Sequence, residues 1–193
     1  MGQTSTMPQR VFVDANVLFS RTLRDWLFLL RVESQGDLFH IHTTWDVITE
    51  TGARLRDKHS HASGSLVSDL VEKCQTIFDD IITSYPGGAV QGLNDQEDWH
   101  VHHAAEACQA HILLTEDTGF TSDETFYETY TCDEFFVEIS TSAPAVVQQV
   151  VNFQAKYWAK RNGKPLPVAL REARCPEFAG IVQTHLQRLA QLK

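Results

Sequence analysis

Short apolar runs alternate with longer stretches of helical period along most of this chain, and that alternation restricts the fold more than any other feature. Arg10–Val13, Leu38–His42, Ala89–Leu93, Ile112–Thr115 and Phe135–Ile139 read as five strands. Between them, apolar residues recur three and four apart. Leu23, Leu27 and Leu30 form one such face, which fades at Ser34-Gln35-Gly36. Val47, Ile48 and Leu55 form a second, opened by a Thr43 or Thr44 cap with Asp46 in the first turn and closing near Lys58. Leu66, Leu70, Val71, Cys74, Ile77 and Phe78 form a third, and Gln96–Ala110 is an alanine-rich fourth. Pro86-Gly87-Gly88 is a breaker. Strands alternating with helices of this length imply an α/β fold, a parallel sheet covered on both faces. Beyond Pro144 the pattern is all helix, about Ala145 to Arg161 and then about Pro176 to Leu192, broken by Asn162-Gly163-Lys164-Pro165.

Composition narrows the class. A chain of 193 residues is one domain, or one domain with an extension. We place the boundary at 141/142, with residues 142–193 as a basic helical extension. No apolar stretch approaches the ~20 residues of a membrane span. The opening MGQTSTMPQR lacks an apolar signal core, so a cytoplasmic protein with no membrane partner is expected. Cys74, Cys108, Cys132 and Cys175 form no C-x-x-C pair and read as reduced thiols. His100, His102 and His103 crowd together, and His40/His42 and His59/His61 repeat; we read these as surface or half-buried side chains rather than metal ligands. Charge is uneven. Residues 1–152 hold 8 basic and 23 acidic side chains, a net −15, whereas residues 153–193 hold 8 and 2, a net +6. A basic tail on an acidic body points to two surfaces with different partners.

The acids fall where an α/β sheet binds ligands, outside the carboxyl ends of its strands. Asp14 interrupts the run VFVDANVLFS at the end of the first strand, and Asp117 follows the Ile112–Thr115 strand in ILLTEDTGF. Asp98 begins the helix leading to that strand, and Glu50 lies within the helix after the second. Each has a plain structural alternative. Asp14 could cap the next segment, Asp98 could favour a helix dipole, and Glu50 could pair with Arg54. Taken together, four carboxylates at compatible places favour a cation site, and hard oxygen ligands suit Mg²⁺ or Mn²⁺.

These residues resemble the PIN-domain nucleases. VFVDANVLFS is similar to their opening strand, with Asp14, Asn16, Val17 and Leu18. TTWDVITETGARL resembles their acid-bearing helix, with Glu50. EDWHVHHAAEACQAHILLTEDTGF is the most specific stretch, through Asp98, Val101, Ala104, Ala105, Thr115, Asp117 and Phe120. The likeness covers about residues 10–140. Many relatives carry a further acid after the Asp117 equivalent; Thr118-Gly119 stand here, with Asp123 as a weak substitute. The resemblance implies a three-layer α/β/α fold with a C-terminal helical extension, and a metal-dependent endoribonuclease. Asp14, Asp98 and Asp117 would hold Mg²⁺ or Mn²⁺, Glu50 would complete the catalytic set, and Asn16 and Thr115 would support it from behind. Compact PIN proteins often act as toxins of bacterial toxin–antitoxin pairs, held by an antitoxin and commonly dimeric. The longer helical tail departs from them. Its segment FQAKYWAKRNGKPLP interleaves Lys156, Lys160, Arg161 and Lys164 with Tyr157 and Trp158, a composition suited to single-stranded RNA or a partner.

Other classes fit less well. An aspartyl-nucleophile phosphatase needs a second Asp two residues after the first, and Asn16 stands there. A dinucleotide-binding domain needs a Gly-rich turn after the first strand, which is missing. The remaining rivals are an RNA-processing or DNA-acting nuclease of the same fold, and a PIN-fold binding protein that no longer cleaves.

Overall fold

The computed structural model describes residues 7–61, 63–93, 95–120, 125–161 and 163–191. Five parallel strands form one sheet: β1 (Gln9–Val13), β2 (Phe39–Thr44), β3 (Asp80–Ile82), β4 (Ile112–Leu114) and β5 (Glu128–Tyr130), in the order β3-β2-β1-β4-β5. Helices flank the sheet, giving the three-layer α/β/α arrangement with helices at the C-terminal end. Val11, Phe12, Val13, Leu113 and Leu114 are fully buried, as the central strands of a sheet covered on both faces must be.

The helices are α1 (Ala15–Phe19), α2 (Arg21–Glu33), α3 (Trp45–Lys58), α4 (Ser65–Ile77), α5 (Trp99–Ala107), α6 (Cys132–Ser142), α7 (Pro144–Ala159), α8 (Leu166–Glu172) and α9 (Pro176–Gln191). Local chemistry explains their starts. The Thr44 hydroxyl accepts from Val47 N at 3.2 Å and opens α3, with Asp46 in its first turn. Asp14 and Ser20 cap α1 and α2. Ala104 and Ala105 are fully buried, so α5 can lie close against its neighbours.

Two expected strands are absent. Phe135–Ile139 belongs to α6. Thr131 and Glu134 form a reciprocal capping box there, and Phe135, Phe136 and Ile139 share one buried helical face. Ala89–Leu93 is loop, with Gly88 and Gly92 at positive φ (120° and 86°), a backbone that leaves the strand region. The third and fifth strands are instead the three-residue segments Asp80–Ile82 and Glu128–Tyr130, too short and too polar to show alternation. Helices α1 and α8 also lack a periodic signature, being one to two turns long.

The C-terminal helices pack on the body. Trp26 of α2 meets Phe178 of α9 edge-to-face at 5.0 Å, and Phe136 of α6 meets Phe178 at 5.2 Å. Val147, Val150 and Val151 of α7 are buried in the same apolar cluster as the sheet. All four cysteines are free thiols. Among the described residues no helix is long and apolar enough to cross a membrane.

Candidate active site

Strand order places the site. β1 is followed in the chain by β2 on one side, while β4 pairs on the other, so the connections diverge between β1 and β4. Such a divergence opens a crevice at the carboxyl edge. Val13 pairs with Leu114, the final residues of their strands, and Asp14 N bonds Leu114 O at 3.1 Å. Asp14 and Thr115 therefore emerge side by side.

Their side chains interlock. Asp14 is 8 % exposed. Its Oδ2 accepts from the Thr115 hydroxyl at 2.7 Å and from Asn16 Nδ2 at 2.7 Å, and its Oδ1 accepts from Ala15 N. Thr115 Oγ1 in turn accepts from Asn16 Nδ2 at 2.8 Å and from Asp117 N at 3.1 Å. The hydroxyl thus uses its one proton and both lone pairs within the site. Asn16 Oδ1 accepts from Glu116 N at 3.1 Å, tying α1 to the turn after β4. Asp14 therefore caps α1 and also lines the crevice. Burial raises its pKa, an effect opposed by these hydrogen bonds and by Arg54 and His100.

Asp117 and Asp98 meet over Gly119. A Cβ built on Gly119 would lie 3.2 Å from Asp117 Oδ1 and 3.8 Å from Asp98 Oδ2. Gly119 N donates to Asp117 Oδ1 at 2.8 Å and fixes that carboxylate. Asp98 immediately precedes α5, whose start at Trp99 lies three residues later than the apolar pattern indicates because Asp95 Oδ1 takes Glu97 N in a turn. Its side chain makes no capping hydrogen bond. At the N-terminal end of α5 it stands where the helix dipole favours an acid, and its carboxylate also lines the crevice. Burial, followed by the like charges of Asp117, Asp95 and Asp14, pushes its pKa up to about 6.

The crevice holds about 420 Å³. Among the described residues, seven carboxylates line it (Asp14, Glu50, Asp95, Glu97, Asp98, Glu116 and Asp117) against two guanidinium groups, Arg54 and Arg174. Acids in that excess repel one another, and a hard cation relieves the repulsion, so the donor set fits Mg²⁺ or Mn²⁺. Glu50 is also bonded to Arg54 at 2.6 Å, the helical pairing its spacing allows, and stands 3.9 Å from His100 Nε2.

Several lining residues carry no sequence motif. Arg174 arrives from the α8–α9 junction with φ +65°. His100 Nδ1 lies 2.6 Å from Glu97 O, while its buried Nε2 has no hydrogen-bond partner among the described residues. Glu116 Oε1 accepts from Cys132 N at 2.9 Å, at the start of α6. The sequence signals for them were indirect: Arg174 lies in a basic tail, His100 in a crowd of histidines, and Glu116 beside Asp117. Asp123 lies outside the described residues.

The interleaved tail residues sit elsewhere. None of Lys156, Tyr157, Trp158, Lys160, Arg161 and Lys164 is among the described residues lining the crevice. Trp158 donates to Gln154 Oε1 at 2.8 Å and, with Lys164, Arg21 and Trp26, lines a separate cavity of about 390 Å³. Arg161 stacks 3.8 Å over Tyr157, and Lys164 pairs with Glu172 at 2.6 Å.

The parallel α/β/α fold with an acidic crevice at its β1/β4 divergence places the chain in the class of open α/β proteins that bind ligands at the carboxyl edge of the sheet. The profile of the PIN domain matches residues 10–119, and the chain belongs to that family, whose members are generally nucleases. Neither a curated protein nor a solved structure matches the chain.

Proposed function

We propose that this protein is a Mg²⁺- or Mn²⁺-dependent endoribonuclease, acting as the toxin of a bacterial toxin–antitoxin pair. The observation that carries the nuclease reading is the convergence of Asp14, Asp98 and Asp117 from three separate elements on one crevice, where burial and then the like charges of its neighbours push the Asp98 pKa up to about 6. Those three would hold the ion. When bound, the ion supplies charge neutralisation at the scissile phosphate and activation of the attacking water. Thr115 and Asn16 keep Asp14 oriented by neutral hydrogen bonds. Glu50, paired with Arg54, would either join the ligands or orient the attacking water, whose proton passes to a crevice carboxylate or to solvent. Hydrolysis forms one P–O bond to that water and breaks the bond to the leaving ribose oxygen, which takes up a proton. Arg54 and Arg174 offer charge-assisted hydrogen bonds to the phosphate oxygens on either side. The toxin role, with an antitoxin and a second copy as partners, rests on resemblance to compact PIN toxins. RNA contact by Lys156, Tyr157, Trp158, Lys160, Arg161 and Lys164 would need a strand reaching beyond the crevice.

Cleavage of a mixed structured RNA pool with Mg²⁺, with Mn²⁺ and with chelator tests this reading, wild type beside Asp98→Asn. Metal-dependent cutting lost in the variant supports it. Cutting of DNA alone would make the protein a DNA-acting nuclease. A folded wild type that binds Mn²⁺ but cuts neither would make it a binding protein. Growth arrest on induced expression, absent for Asp98→Asn, tests the toxin role.

A further inference from the structure

One turn beyond Asp98, α5 carries His102, His103 and Glu106. One ligand atom from each lies within 4.8 Å of the other two. His102 and Glu106 are four residues apart and share a helix face, with His102 Nε2 3.4 Å from Glu106 Oε2. The three line a cleft of about 260 Å³ with Phe120, Tyr127 and the 89–93 loop.

Each imidazole is anchored through one nitrogen; the His103 anchor fixes a tautomer that suits a ligand, and at His102 the Tyr127 hydroxyl can accept or donate and so allows one. His103 Nε2 lies 3.0 Å from Gly88 O. A carbonyl only accepts, so that nitrogen carries the proton and Nδ1 keeps its lone pair. His102 Nδ1 lies 2.8 Å from the Tyr127 hydroxyl. When Nδ1–H donates to that oxygen, Nε2 offers its lone pair on the Glu106 side. Metal-bound histidines are held in this way, with the second nitrogen fixed by a neighbouring oxygen.

We propose that His102, His103 and Glu106 form a second metal site, selective for imidazole-preferring ions of the Zn²⁺ type. Two imidazoles and a carboxylate suit Zn²⁺, Co²⁺ or Ni²⁺ and not Mg²⁺, which demands oxygen. Metal–nitrogen bonds of about 2.0–2.1 Å require the three ligand atoms to draw together, which side-chain rotation on a half-open cleft allows. Remaining coordination positions face the cleft and take water. Through the Gly88 and Tyr127 anchors, a bound ion would tie α5 to the 88–93 loop and to the approach to β5. This site does not depend on the nuclease reading.

Co²⁺ is the probe. The full chain is stripped with chelator, dialysed and titrated while visible absorption is followed. Nitrogen-ligated Co²⁺ of low coordination absorbs strongly, and an all-oxygen octahedral site absorbs weakly. We expect a saturable band at one equivalent that is displaced by Zn²⁺ and retained in Asp98→Asn. Affinity should fall at least tenfold in His103→Gln and in Glu106→Gln. In His103→Gln the introduced amide can still donate to Gly88 O, and far-UV circular dichroism checks that both variants fold. Zn²⁺ should raise Tm in wild type and not in either variant. Absence of the band in wild type, its survival in both variants, or its loss in Asp98→Asn would overturn the proposal.

Discussion

Asp14 serves two purposes with one carboxylate, and the two can be separated. Asparagine is nearly isosteric and is itself a good helix cap. Asp14→Asn should still fold, at a cost of about 1–3 kcal/mol because its amide nitrogen must face a donor, while activity per folded molecule falls about a hundredfold or more, because the negative charge is lost. Asp117→Asn, on an exposed turn, should behave likewise. Measuring activity per folded molecule checks both; a drop in Tm with unchanged specific activity would return Asp14 to capping alone. Asp98 shows the opposite balance. Its folded-state pKa of about 6 lies above the ordinary 3.8, so the folded state binds the proton more tightly. Its carboxylate therefore opposes folding progressively as pH rises from about 4 to about 6, and fully above that. Chelator-treated Asp98→Asn should melt higher than wild type at pH 8, with the gap closing below about pH 4. Thermal melts across that range decide it.

At the scale of elements, the α8–α9 junction is the unexpected contributor. Arg174 sits in the left-handed region, sparsely used by residues other than glycine, and its side chain lines the acidic crevice. Asp133 of α6 secures the start of α9 next to it, accepting from Phe178 N at 2.8 Å and Glu177 N at 3.1 Å. Arg174→Ala should raise KM for RNA about tenfold with little change in kcat or Tm, the effect of one lost charged hydrogen bond. Steady-state kinetics separate the two constants. On the far side of the sheet order, Asp79 joins α2 to β2. It pairs with Arg31 and accepts from Ile41 N at 2.8 Å. Burial alone would raise its pKa, but Arg31 and the Ile41 N–H outweigh burial and hold it below the usual carboxylate range. A depressed pKa stabilises the fold above about pH 4 and loses that contribution as pH falls. Asp79→Asn should be less stable than wild type at pH 7 and converge with it below about pH 3, as urea titrations at the two pH values would show.

Over the whole molecule, the C-terminal helices share the body's core. Phe178 touches both Trp26 and Phe136 and is fully buried, so Phe178→Ala should cost about 3–5 kcal/mol. Denaturant unfolding would measure it. The same contact leads us to expect that a chain cut after residue 141 exposes Trp26 and Phe136 and loses much of its stability.

Periodicity and chain order by themselves determined the parallel α/β class, the strands that hold Asp14 and Asp117, and the long helices, because 3.6-residue and short buried runs are local patterns. Thr44 and its cap were equally legible, since capping involves neighbours three residues away. Short strands such as Asp80–Ile82 and Glu128–Tyr130 were not legible, because pairing with distant strands makes them extended. FFVEI read as a strand until the Thr131–Glu134 capping box placed it in a helix, a local signal that its apolar run masked. The ordered acids Asp14, Glu50, Asp98 and Asp117 were visible as candidates, each with a structural alternative. Only the tertiary structure decided what surrounds them. Arg174, Glu116 and His100 come from segments 16 to 74 residues apart, and no local pattern links them. Burial and through-space charge both depend on the fold, so the raised Asp98 pKa, caused first by desolvation and then by Asp117, Asp95 and Asp14, could not be read from the residues around it alone.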